Sequence, residues 1–154
     1  MRQLKLGWVG SGFIGQVAHL ANYAELPDVD IVALAELRPK LGALACRKYG
    51  IQRYYSDHRE LLEDPDIEAV VAIVRRKHTA PVALDILNRG VHLFTEKPFA
   101  PTVEQGRELV DASKKNECTY AFITFGAKTA QQLDTFIYDE IFGRIFKYSL
   151  HKSL

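Results

Sequence analysis

Short apolar runs alternate along this chain with longer segments in which apolar positions recur every three or four residues. The first run, LKLGWVG over residues 4–10, reads as a strand, and residues 13–25 follow as a helix closed by Pro27. A second strand at 30–36 (DIVALAE) leads to a helix at 39–49, with Pro39 at its start and Gly50 just past its end. Residues 51–55 form a short third strand, and 58–63 a small helix before the turn EDPD. The run IEAVVAIV, 67–74, is apolar on both faces, as expected of a strand covered by helices on each side. A helix at 79–88 ends at Arg89-Gly90, and a fifth strand covers 91–95. Residues 102–116 form a helix that opens with the capping pair Thr102 and Gln105, and 120–125 is a sixth strand.

Strands that alternate with helices need crossover connections, so the pattern predicts an α/β fold: a doubly wound, mainly parallel sheet with helices on both faces. At 154 residues the chain has room for one such domain, with a core that needs neither metal nor disulfide. The domain is expected over residues 1–125. The tail, 126–154, differs: 128–140 reads as a helix, Gly143 as a turn, and 145–150 as a strand that ends almost at once. Its stripe of Phe136, Tyr138, Phe142 and Phe146 calls for a covering surface, which a second copy could supply in a homo-oligomer.

Charge narrows the function classes. The 20 basic and 19 acidic residues are mixed along the chain for a net charge of +1, so no broad field of one sign draws it to nucleic acid or an anionic membrane. No apolar run approaches the roughly 20 residues of a membrane span, and the expected location is the cytoplasm. Cys46 and Cys118 belong to no metal-ligand cluster, and no metal is expected. A small molecule is the expected partner.

Candidate chemistry sits at strand ends. In GWVGSGFIGQ, Gly10, Gly12 and Gly15 form a GxGxxG frame between the first strand and the first helix. Gly10 permits a tight turn, Gly12 lets a pyrophosphate approach the backbone, and Gly15 lets helix and strand pack closely. Ser11, Phe13 and Ile14 complete this candidate cofactor loop. Glu36, at the end of the second strand, is placed to accept hydrogen bonds from an adenosine ribose and favours NAD over NADP. Arg38 opens the alternative, since its guanidinium could grip a 2′-phosphate if Glu36 turns away. Arg75, Arg76, Lys77 and His78 form a basic cluster after the fourth strand, read as a solvated loop that could contact phosphates. His19 and His92 are expected to be packing residues.

With the glycine loop, Glu36 and TEKPFA in place, residues 4–125 resemble the N-terminal domain of the Gfo/Idh/MocA oxidoreductases. AELRPK, KYGI and YSDHRELLEDPDIEAV resemble the family's middle segment. The resemblance implies a Rossmann dinucleotide-binding fold and hydride transfer between a nicotinamide and a secondary alcohol of a sugar, polyol or related polyhydroxylated molecule. It implies that Lys97, in Glu96-Lys97-Pro98, is the catalytic lysine beside the nicotinamide and the reacting oxygen, with Glu96 pairing with Lys97 or orienting the cofactor. His78 matches a histidine that often opens the helix after strand four, while Ile73-Val74 stand where the family usually lines the cofactor with Thr or Asn and Pro. GAKTA, 126–130, likewise replaces a basic-aromatic-Asp-Pro turn. Family members carry a substrate-binding half whose Asp and His complete the site. His151 lacks an Asp four residues before it, so that pair is not carried over. The alternatives are a stand-alone dinucleotide-binding regulatory module and a non-catalytic partner subunit.

Overall fold

The alternation of apolar runs becomes one parallel sheet in the computed structural model, which describes residues 2–122. Its strands are β1 (Leu4–Val9), β2 (Val29–Ala35), β3 (Arg53–Tyr55), β4 (Ala69–Ala72), β5 (His92–Thr95) and β6 (Tyr120–Phe122). They lie in the order β3-β2-β1-β4-β5-β6, with every neighbouring pair parallel. This is the doubly wound Rossmann arrangement, and the order reverses between β1 and β4, where such sheets bind ligands. No helix among the described residues is long and apolar enough to cross a membrane. The last residues of the expected sixth strand and the whole tail, with the oligomer contact expected of it, lie outside the described residues.

Each strand sends alternate side chains to opposite faces, and each face buries its own apolar layer. On one face Leu6, Trp8, Leu34, Val71 and Phe94 pack against Leu20 and Tyr23 of the first helix and Ala45 of α2 (Pro39–Tyr49). On the other, Val9, Ala33, Ala35, Val70, Ala72 and Leu93 meet the remaining helices. These are α3 (His58–Leu61), α4 (Arg76–Asn88) and α5 (Val103–Lys115), which contribute Leu61, Ile86, Leu87 and Leu109. A register shift in the β1–β2 pairing between Leu6 and Gly7 skips Val32 and explains why Ile31 and Leu34, three apart, share a face. Trp8 is fully buried, and its indole N–H donates to the carbonyl of Gly10 at 2.9 Å, so the core reaches the glycine loop through the one polar atom of that ring.

Two helix boundaries differ from the sequence reading. The first helix is wound as a π-helix over Gly15–Leu20 and passes into α1 (Ala21–Tyr23), short of residue 25. A local i→i+5 winding leaves no signature in a 3.6-residue pattern, so the sequence does not announce it. The helix expected from 79 starts at Arg76, and Pro81 lies inside it. Proline offers no N–H to the carbonyl four residues back, but that carbonyl belongs to Lys77 in an exposed first turn, where water can serve it. Arg76, Lys77 and His78 therefore stand on a helical turn rather than in a loop. The capping reading of Thr102 holds: its hydroxyl accepts from the amide of Gln105 at 3.3 Å.

The tightest backbone approach is at Gly10, which has φ +88° and a position where an added Cβ would lie 2.5 Å from the carbonyl oxygen of Ile73. Gly10→Ala combines a left-handed backbone with a clash against main chain, and should cost about 2 kcal/mol or more. Urea unfolding checks this: the midpoint should fall with an unchanged slope, and an unchanged midpoint would contradict the close approach.

Candidate functional site

The glycine loop is shaped by what touches it. Gly10 meets Ile73 at the end of β4, and an added Cβ at Gly15 would sit 2.8 Å from the Gly10 carbonyl oxygen. Gly12 is different: the nearest heavy atom to a Cβ there is Nη2 of Arg38, 4.0 Å away. The Gly10 and Gly15 positions are thus filled by protein, and Gly12 between them leaves a cradle beside the backbone. The π-wound segment continues a helical turn that begins at Phe13, so the positive end of the first helix lies at this loop. Phe13 and Ile14 point outward, 77% and 51% exposed, as does Leu37 across the loop at 72%. Large apolar side chains held in water at a strand-end cleft offer contact area to a planar ligand. A backbone cradle with a positive helix end, beside an apolar surface, fits a dinucleotide.

Glu36 follows β2 and is 6% exposed. Its Oε2 accepts from the backbone N–H of Ser11 at 2.9 Å and from the Ser11 hydroxyl at 3.1 Å. Arg38 supplies the other donors: its backbone N–H (3.1 Å) and Nε (2.7 Å) to Oε1, and Nη2 (3.0 Å) to Oε2. Burial alone would push the Glu36 carboxyl up, but the Arg38 side chain and the amides of Ser11 and Arg38 outweigh it and hold the pKa at about 2. The carboxylate and guanidinium expected to choose between cofactors are therefore paired with each other, with Arg38 on the solvent side.

Beyond β5, Glu96 and Lys97 lead into a cis Lys97–Pro98 bond. Lys97 is exposed. Glu96 accepts from the Lys97 backbone amide through Oε2 at 3.1 Å, and its Oε1 lies 2.8 Å from Nε2 of His19. The turn is also held from β6: the Tyr120 hydroxyl donates to the Phe99 carbonyl at 3.0 Å and lies 3.2 Å from Oγ1 of Thr95. Burial pushes the Tyr120 phenol up, against a smaller opposing effect of Thr95.

The structure brings Gly10, Ser11, Gly12, Phe13, Ile14, Gly15, Glu36, Arg38, Ile73, Val74, Glu96 and Lys97 to the carboxyl edge of the sheet. Ile73 is buried and Val74 half-buried, both against Gly10. His78 is on the exposed first turn of α4, and its ring makes no hydrogen bond to another described residue. Sequence reasoning missed His19: it is 7% exposed, but it is bonded to Glu96 and is more than a packing residue. The available signal was a polar ring one turn past the third glycine on a face otherwise apolar. His92, in turn, accepts from the Thr119 amide at 3.1 Å and stitches the β5–β6 edge.

The fold and this edge define a dinucleotide-binding domain of the Rossmann class. Residues 4–124 match the model of the Gfo/Idh/MocA family, described as oxidoreductases with an NAD-binding Rossmann fold, and the chain belongs to that family. It is 34% identical over 122 residues to a levoglucosan dehydrogenase of Pseudarthrobacter phenanthrenivorans, a match covering 74% of this chain and 31% of that protein. It is also 34% identical over 115 residues to an inositol 2-dehydrogenase of Salmonella typhimurium, covering 73% and 34%. A solved levoglucosan dehydrogenase in complex with NADH and levoglucosan aligns with a TM-score of 0.72 and 31% identity, over 79% of this chain and 35% of that one. The chain spans about one third of the length of the curated relatives it matches.

A carboxyl whose pKa in the fold is about 2, against an ordinary 4.5, stabilises the protein above pH 4.5 and loses that contribution as the pH falls towards 2. Wild type should therefore exceed Glu36→Gln in stability by on the order of 2 kcal/mol at neutral pH, less than full linkage gives because the exposed Arg38 is screened. Urea unfolding of both proteins from roughly pH 6, above the transition, to roughly pH 3, within it, checks the sign: the gap should be level at the upper end and narrow towards the lower. A gap that widens on acidification would contradict it.

Proposed function

We propose that this chain is the cofactor-binding part of an NAD-dependent oxidoreductase that acts on a secondary alcohol of a sugar, polyol or similar polyhydroxylated molecule. The observation that carries the reading is the convergence on one sheet edge of a Cβ-free phosphate cradle at the end of β1 and the Lys97 turn at the end of β5. Kinship with a levoglucosan dehydrogenase and an inositol 2-dehydrogenase supports the substrate class. Free Cys46 and Cys118 support a reducing compartment, and the proposed setting is the cytoplasm.

Bound NAD would supply a nicotinamide ring that takes up a hydride from the carbinol carbon. The loop amides from Gly10 to Gly15 receive the pyrophosphate, and Gly12 gives it access to the backbone. Glu36 accepts the ribose hydroxyls once the Arg38 side chain has swung out, while Ser11 keeps the carboxylate in place. Phe13, Ile14 and Leu37 shield the bound rings from water. Lys97 accepts the hydroxyl proton onto Nζ as the C–H bond breaks, so that the resulting ammonium balances the charge building on the oxygen, and then passes that proton to water. NAD is the favoured cofactor, because the Glu36 charge opposes a 2′-phosphate. A displaced Arg38 provides the route by which NADP could also be held.

Calorimetric titration with NAD and NADP tests the cofactor reading. NAD should bind more tightly than NADP, and Arg38→Ala should weaken NADP by about tenfold without weakening NAD. Absence of binding by either dinucleotide at millimolar concentration would sink the proposal. In a preparation that turns over a polyol or anhydrosugar, followed by NADH absorbance, Lys97→Ala should lower kcat by roughly a hundredfold or more, and full activity in that variant would remove Lys97 from the chemistry.

A further inference from the structure

His19 and Glu96 lie 77 positions apart in the chain, yet their side chains meet at 2.8 Å. His19 is 7% exposed and stands in the π-wound segment that begins at Gly15, in a T-shaped contact with the ring of Phe94 at 6.5 Å between centroids. An apolar residue would fill this space at lower desolvation cost, since a buried imidazole must be hydrogen-bonded to be tolerated. Its partner is the carboxylate that also holds the Lys97 amide. The chain of contacts therefore runs from the glycine loop through the first helix to His19, on to Glu96, and into the backbone of the Lys97 turn. The π-winding lies inside that chain, in a geometry that is rare and often found at functional sites.

We propose that His19 is a positioning residue: through Glu96 it sets the Lys97 turn relative to the glycine loop, and so shapes the part of the site that receives the nicotinamide half of the dinucleotide. The inference rests on the dinucleotide reading given above. Neither residue needs to touch the phosphates. The pair sets the separation between two ligand-binding elements that grow from different strands.

The test is calorimetric titration of the full chain with NAD and with ADP-ribose, which shares the adenosine, pyrophosphate and second ribose but lacks nicotinamide. His19→Leu keeps bulk and removes the donor, and should weaken NAD by about fivefold or more while changing ADP-ribose by less than about twofold. His19→Gln presents an amide N–H at a reach similar to Nε2 and should restore most of the NAD affinity. Glu96→Ala should show the same NAD-selective loss, and adding His19→Leu in that background should cost nothing further. Should His19→Leu fail to fold in a thermal melt, the comparison of His19→Gln with Glu96→Ala reads the same selectivity. Equal losses for the two ligands, unchanged NAD affinity, or no rescue by Gln would each overturn the positioning role. Failure of the wild-type chain to bind either ligand would instead overturn the dinucleotide reading itself.

Discussion

At the carboxyl ends of β1 and β4 backbone meets backbone, and the rest of the edge is arranged around that contact. A methyl at Gly10 would press on the Ile73 carbonyl, and one at Gly15 would press on Gly10 itself. Only residues without Cβ allow the chain to leave β1, turn, and start a helix directly over the strand it has left. The turn is then secured from separate directions. Trp8 donates to it from the core, Glu36 holds Ser11 from β2, and the Gln16 side chain donates to the Ser11 carbonyl at 2.8 Å from the helix. A loop held in this way meets a ligand with its amides already oriented, which lowers the ordering cost of binding.

The two edges of the sheet are treated differently. Near the amino ends of the strands, charges are neutralised internally: Arg53 bridges Asp64 and Asp66 at 3.0 and 2.9 Å, Lys5 lies 3.5 Å from Asp66, and Arg2 pairs with Glu68. At the carboxyl edge Glu36 is likewise paired with Arg38 and Glu96 is bonded to His19, but Phe13, Ile14 and Leu37 stand in water. Among the described residues no buried side-chain nitrogen or oxygen lacks a hydrogen-bond partner. The carboxyl edge is therefore no region of poor folding. Its exposed apolar side chains are of the kind that a ligand completing the surface would cover.

Much of this was legible in one dimension. Apolar alternation located the strands, because a parallel sheet covered on both faces needs continuous apolar runs, as in the Val70-Val71 stretch. The glycine spacing and Glu36 were legible because neighbouring positions of a strand–turn–helix unit are fixed relative to one another. The start of α4 was not, since Arg76, Lys77 and His78 are polar and exposed and its first turn therefore carries no apolar periodicity. The His19–Glu96 bond was hidden for a different reason: it joins elements brought together only by the wrapping of the sheet, and local periodicity carries no information about a partner 77 residues away. Glu36 and Arg38 were each noted, but two residues of spacing do not reveal that the guanidinium folds back onto the carboxylate.

That fold-back changes what association at Glu36 means. The carboxylate already has an occupant, tethered two residues away, with both oxygens engaged. On the proposed reading, a ribose diol binding there would exchange with Arg38, giving up its own water and releasing the guanidinium to solvent, rather than fill a vacancy. The heat and affinity of such binding would be differences between two sets of hydrogen bonds, so a modest net value can conceal strong individual contacts. In this structure the same occupant neutralises a buried charge, so Glu36 and Arg38 are satisfied by each other without any ligand.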